Sequence, residues 1–153
     1  MRIIGLDLGE RRIGVAISDA TRTLARPIGV LLRPPSDADA LRIVTEEIRR
    51  LTAEEDGVES IVLGLPKRLD GSANEMTLRV QAFARELHAA SGLPVALQDE
   101  RLSSREAESR LAEREKDWRA RKQKLDAAAA AIILQDYLDS RPRDPVSAVA
   151  PEV

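Results

Sequence analysis

"IIGLDLGERRIGVAISD", running from Ile3 to Asp19, holds one carboxylate, Asp7, inside a run of Ile, Leu and Gly that otherwise reads as a buried strand. Strands covered on both faces fill with Val, Ile and Leu, because each face meets another layer, and an unpaired buried charge there is costly. Asp7 therefore needs a reason, structural or chemical. The stretch divides into two strands, Arg2 to Leu8 and Arg12 to Ser18, joined by Gly9-Glu10-Arg11, a connection short enough for a hairpin. A third extended segment from about Leu24 to Leu32 completes an antiparallel meander.

Beyond the meander the period changes. Arg33-Pro34-Pro35 breaks the chain, Ser36 or Asp37 can cap a helix, and Leu41, Val44, Ile48 and Leu51 recur at helical spacing. After Gly57, Val58 to Leu63 reads as a buried strand ending at Gly64-Leu65-Pro66. Ser72 followed by Glu75 is a capping-box pattern, and Met76, Val80, Phe83 and Leu87 share one face before Gly92 and Pro94 stop the helix. Val95 to Gln98 is a short strand, and Ser103 with Glu106 predicts another helix, with Ala107 and Leu111 inward. From Ala112 to Lys124 the apolar period fails around an isolated Trp118, which predicts a mobile or solvated connection. The last helix is expected from near Lys124 to about Ser140, and the proline-bearing tail, 141–153, is expected to be disordered.

This order predicts an α/β fold: one domain over residues 1–140, with a mixed five-stranded sheet, the antiparallel meander first and parallel strands after it, and helices on both faces. A chain of 153 residues with 43% hydrophobic content is long enough for one such core. Its 24 basic and 26 acidic residues leave a formal charge of -2, so any polyanion site must be a local patch. Cysteine is absent, which excludes disulfides and thiolate metal sites. The longest apolar run, Ala127 to Leu134, is far short of a membrane span, and Met1 leads straight into a strand. The expectation is a soluble cytoplasmic protein with no membrane partner.

In such sheets functional groups collect at the carboxyl ends of the strands, where Asp7 lies. "PVALQDERLSS" brings Asp99 and Glu100 to the end of the last strand, and "KLDAAAAAIILQDYLD" places Asp126 in the expected first turn of an alanine-rich helix. Asp126 shares a helical face with Ala129, Ala130, Ile133 and Tyr137, so it is expected to face the protein. Five consecutive alanines let that helix approach the sheet closely and bring Asp126 toward the strand ends. Asp99 and Glu100 alternate sides of an extended chain, so only one of them points straight at the site; Glu100 has the longer reach. A carboxylate cluster repels itself unless a cation sits within it. Without cysteine and with a single histidine, the donors are oxygens, and Mg²⁺ or Mn²⁺ is the expected guest. Two such ions can promote in-line phosphodiester hydrolysis, which predicts a metal-dependent nuclease.

Each acid has a plainer reading too. Asp7 could shape the hairpin turn, Asp99 cap its strand, Glu100 pair with Arg101 or Arg105, and Asp126 favour a helix N-terminus. His88, without a paired Ser or Cys, is assigned no catalysis. Residues 101–124 carry nine Lys or Arg against five Asp or Glu, either a solvated face or a phosphate-tracking patch. Candidate nucleic-acid contacts are Arg11, Arg12, Lys67, Arg68, Arg101, Arg121, Lys122 and Lys124. With 2% aromatic residues, base stacking is not expected to dominate, and backbone and shape recognition is expected instead.

"GLDLGERRIGVAISD", "VLGLPKRLDGS", "DERLSS" and "KLDAAAAAIILQDYL" together resemble, in order, four signature blocks of the bacterial YqgF/RuvX family, over Met1 to about Leu138. The resemblance implies an RNase H-like fold related to the Holliday junction resolvase RuvC, and processing of the 5′ end of precursor 16S rRNA. It implies Asp7, Glu100 and Asp126 as the three catalytic, metal-binding carboxylates, with Asp99 as a further candidate ligand. Junction resolution on branched DNA is the alternative; it would favour a homodimer with two sites, whereas rRNA trimming needs only a monomer. An actin-like ATPase, suggested by the "DLG" hairpin, and a non-catalytic nucleic-acid-binding module are the more distant readings. Metal affinity would separate the nuclease from the inert module, and nucleotide binding would single out the ATPase.

Overall fold

The computed structural model describes residues 1–66, 74–99 and 118–140, excepting the side chains of 118–126. Strands β1 (Arg2–Leu8), β2 (Arg12–Ser18) and β3 (Ala25–Leu32) form the expected meander. They are followed by helix α1 (Asp37–Thr52), strand β4 (Val58–Leu65), helix α2 (Glu75–Ser91), strand β5 (Val95–Asp99) and helix α3 (Trp118–Ser140). The sheet order is β3-β2-β1-β4-β5, with β4 parallel to β1 and β5 parallel to β4. Both parallel pairings follow a helical crossover, the geometry that returns the chain to one end of the sheet.

The two-residue period of the strands sorts their side chains into two layers. Ile4, Leu6 and Leu8 of β1, Ile13, Val15 and Ile17 of β2, and Ile61, Leu63 and Leu65 of β4 face α1 and α2. Those helices return Ala40, Val44, Ile48 and Leu51, and Val80, Phe83, Ala84 and Leu87. The opposite face offers Ile3, Ala16 and Val62 to Ala130, Ile133, Leu134 and Leu138 of α3. Ser36 caps α1, its side chain accepting a hydrogen bond from the Asp39 amide at 3.3 Å.

Two helix starts differ from the sequence reading. Helix α2 is capped by Asn74 rather than by the Ser72–Glu75 pair, and Ser72 lies outside the described residues. Asn74 accepts from the Thr77 amide at 2.9 Å while the Thr77 hydroxyl oxygen accepts from the Asn74 amide at 3.0 Å, so the box is present two residues later. Helix α3 begins at Trp118, well before Lys124, so residues 118–124 are helical and not a connecting loop. Arg119 to Lys124 is built from strong helix formers without Gly or Pro, and propensity carries the helix where apolar periodicity gives no signal. Asp126 consequently lies beyond the first two turns, outside the reach of the helix N-terminus as a stabilising partner. The expected helix after Ser103 and the tail, 141–153, lie outside the described residues.

Helix α3 passes over β1 at Gly5. A Cβ on Gly5 would fall 2.7 Å from the Leu134 Cβ, closer than packed atoms approach, and a tight 3.1 Å from the Ala130 carbonyl oxygen. Gly5→Ala is expected to cost about 1–3 kcal/mol through overpacking, because the obstructing atoms belong to the helix backbone and a Cβ that cannot rotate away. Urea unfolding of the variant against wild type measures the loss, and unchanged stability would show that α3 does not bear on this position.

Candidate active site at the carboxyl end of the sheet

Asp7 is partly buried near the carboxyl end of β1, on the face covered by α3. Its antiparallel partner is Gly14 of β2, and the β1–β4 register, which pairs Leu6 with Leu63, brings Gly64 next on the other side. Neither neighbour contributes a side chain. Gly64 pairs in turn with Gln98 of β5, and Leu65 pairs with Asp99. Because Leu65 faces α1 and α2, the register puts Asp99 on the side of the sheet opposite Asp7. Glu100 lies outside the described residues.

The direction of α3 follows from two contacts. Gln135 accepts from the Ala25 amide at 2.9 Å and donates to the Thr23 carbonyl at 2.9 Å. Ala25 pairs with Ser18, whose hydroxyl oxygen accepts from the Ile3 amide at 2.8 Å, so Gln135 sits at the level of the start of β1. Ala130 and Leu134 lie at the level of Gly5. Helix α3 therefore runs antiparallel to β1. One helical turn back from Ala130, about 6 Å, is position 126; two strand residues on from Gly5, about 6.6 Å, is Asp7. The backbones of Asp7 and Asp126 thus advance in step toward the same end of the sheet.

The basic candidates divide differently. Arg11 is exposed at the tip of the β1–β2 hairpin, and Arg12 is half-buried at the start of β2. Arg121, Lys122 and Lys124 belong to the first turns of α3, and Lys67, Arg68 and Arg101 lie outside the described residues. His88 is remote from this end: its Nδ1 lies 2.8 Å from the Leu93 carbonyl at the C-terminus of α2. Among the described residues no cluster of three or more His, Cys, Asp or Glu is assembled.

Two supporting residues were not singled out from sequence. Gln135, just after the apolar run of α3, ties the helix to the β2–β3 turn. That turn is organised by Asp19, whose carboxylate accepts from the Thr23 amide at 2.8 Å and the Thr21 hydroxyl at 2.9 Å. These bonds, led by the one from Thr23, hold the Asp19 carboxyl below its ordinary range. Arg33 is the other; its side chain is 6% exposed, and its guanidinium donates to the Gly9 carbonyl at 2.8 Å. A polar residue at helical spacing with its neighbours, or a cation beside two prolines, carries no local sign of such distant partners.

Comparison with known proteins places this arrangement in context. A family model described as "RuvX: Holliday junction resolvase" matches residues 1–140. A protein of Anaeromyxobacter sp. (strain Fw109-5), named "Putative pre-16S rRNA nuclease", is 45% identical over 141 residues, covering 92% of this chain and 98% of its own. One of the same name from Pelotomaculum thermopropionicum is 42% identical over 144 residues, covering 94% and 90%. Among solved structures, Thermus thermophilus RuvC in complex with a Holliday junction substrate aligns over 99% of both chains with a TM-score of 0.53 at 15% identity. That likeness concerns the fold, which is the α/β, RNase H-like one.

Gln135→Ala removes the acceptor of one backbone amide and the donor to one carbonyl, and is expected to destabilise the chain by about 1–2 kcal/mol, read from denaturant midpoints. Asp19→Ala tests the turn beneath it. Since the folded-state pKa of Asp19 is depressed, its stabilisation is complete above the ordinary carboxylate range and is lost as pH falls through the lowered value. The Tm difference between wild type and Asp19→Ala should therefore shrink on acidification; a difference that stays constant would remove the carboxylate from the account.

Proposed function

Because this chain belongs to the RuvX family, we propose that it is a divalent-metal-dependent endonuclease that hydrolyses phosphodiester bonds at the 5′ end of precursor 16S rRNA. What carries the choice of substrate is the name borne by relatives that are 40–45% identical over nearly the whole of both chains. Asp7, Glu100 and Asp126 are the proposed catalytic carboxylates. The support is positional. Asp7 and position 126 advance in step beyond the Gly5 crossing, and position 100 follows a strand whose Gln98 lies beside Gly64, on the Asp7 side.

The donor set suits a hard cation. The chain has no cysteine, and its one histidine is engaged at the far end of α2, so carboxylate oxygens are what this end of the sheet offers. Asp7, Glu100 and Asp126 would hold Mg²⁺ or Mn²⁺, which supplies Lewis-acid activation of the phosphodiester and of the attacking water. The chain's own part is orientation. Glycines on either side of Asp7 place no side chain beside it in the sheet, and Gly64 removes the side chain that would stand between β1 and β5. Arg11 and Arg12, on the adjoining hairpin, give the local positive charge that a chain of net charge -2 needs to draw in a polyanion. Lys67, Arg68, Arg101, Arg121, Lys122 and Lys124 are proposed to extend that contact.

Cleavage of a precursor 16S rRNA leader and of a four-way DNA junction, each with Mg²⁺ and with Mn²⁺, tests this reading. The leader should be cut in a metal-dependent way, and Asp7→Asn, nearly isosteric, should lower the rate by at least about 10²-fold while the circular dichroism spectrum is unchanged. Preference for the junction would replace rRNA processing by junction resolution. Equal cutting by Asp7→Asn would remove Asp7 from the site.

A further inference from the structure

The turn that follows Asp7 is held from three sides. Within it the Gly9 amide donates to the Arg12 carbonyl at 2.8 Å. From outside, the Arg33 amide donates to the Arg11 carbonyl at 2.8 Å, and the Arg33 Nη1 donates to the Gly9 carbonyl at 2.8 Å. A Cβ on Gly9 would fall 2.7 Å from the Arg12 carbonyl oxygen, so only glycine lets the turn close this tightly. The Arg33 guanidinium is in turn oriented by Asp37, whose Oδ1 accepts from its Nη2 at 3.2 Å. The same oxygen accepts from Arg79 of α2, also at 3.2 Å.

This use of a cation is structural. An arginine placed to bind substrate leaves its fork in solvent; Arg33 is almost wholly buried and spends its donors on a backbone carbonyl and a carboxylate. What it fixes is the turn bearing Arg11, which is exposed and lies four residues from Asp7. Holding a cation's backbone before encounter reduces the ordering that binding would otherwise require. We propose that Arg33 is a positioning residue for substrate binding, clamping the Gly9–Arg12 turn so that Arg11 meets a backbone phosphate of the nucleic acid beside Asp7. The inference rests on nucleic acid being the substrate and is independent of which carboxylates bind metal.

A double-mutant cycle read by binding separates positioning from general charge and from folding. Fluorescence anisotropy in EDTA gives Kd for whichever of the precursor leader and the four-way junction wild type binds more tightly. Arg11→Ala is expected to weaken binding about tenfold and to reduce the log–log salt slope by about 0.7–0.9, the signature of one lost phosphate contact. Arg33→Gln should weaken binding by a similar factor in the wild-type background, yet by less than about twofold when Arg11 is already Ala, because coupled residues are not additive. Arg33→Lys keeps the charge without the planar fork and should behave like Arg33→Gln, and it carries the same comparison should the glutamine variant fail to fold. Mn²⁺ affinity by calorimetry should be unchanged in both. Equal losses in the two Arg11 backgrounds, full binding by Arg33→Lys, or no loss with Arg33→Gln would each overturn the proposal. Retained Mn²⁺ affinity and Asp7-dependent cleavage in that event would leave the nuclease reading standing, whereas absence of wild-type binding to either nucleic acid would end both.

Discussion

The contact on which the rest depends is the crossing of α3 over Gly5, where the helix approaches a strand residue that has no side chain of its own. Helices normally pack on sheets through interleaved side chains, and the spacing then depends on which rotamers fill the gap. Here Gly5, its partner Ala16 and Ala130 thin that filling, and the separation is set by the Leu134 Cβ and the Ala130 carbonyl oxygen, which cannot rotate away. Gln135 fixes the same helix along its axis by bonding two backbone groups of the β2–β3 segment. Distance and axial register are thereby determined by groups with little freedom, and the level reached by position 126 follows from them.

The two faces of the sheet are filled in contrasting ways. The face toward α1 and α2 is packed with branched aliphatics and Phe83, and most of the buried apolar residues among those described belong to it. At roughly 25 cal/mol per Å² of apolar surface removed from water, this is where the drive to fold is concentrated. The α3 face is thinner in hydrocarbon and richer in small residues. A chain can place a carboxylate such as Asp7 on the second face because the first does not need it for packing.

The parts legible in sequence were those whose cause is local. Asp7 stood out because a charge inside an apolar run contradicts its neighbours, and the meander was readable because only a hairpin fits three residues between two strands. The mixed character of the sheet, antiparallel strands first and parallel ones after, followed from the alternation of strand and helix. Asn74 was missed because two good caps lie two residues apart, and the pattern does not rank them. The start of α3 was missed because Arg, Ala, Lys and Gln favour helix without marking a face, and periodicity measures only faces. Gln135 and Arg33 were unreadable for a different reason. Their partners are 110 and 24 residues away, and a polar side chain gives no local sign of which distant carbonyl it will meet.

The small-residue crossing also makes α3 a lever. With Gly5 as the point of close contact, Leu138 packs on one side of the crossing and position 126 lies on the other, on a single uninterrupted helix. The atoms nearest Gly5 at the crossing, the Leu134 Cβ and the Ala130 carbonyl oxygen, cannot rotate away to absorb a displacement. A change of volume under Leu138 is therefore passed along the helix axis, so that residues of the core near the start of β1 take part in setting the level that position 126 reaches at the opposite end of the sheet.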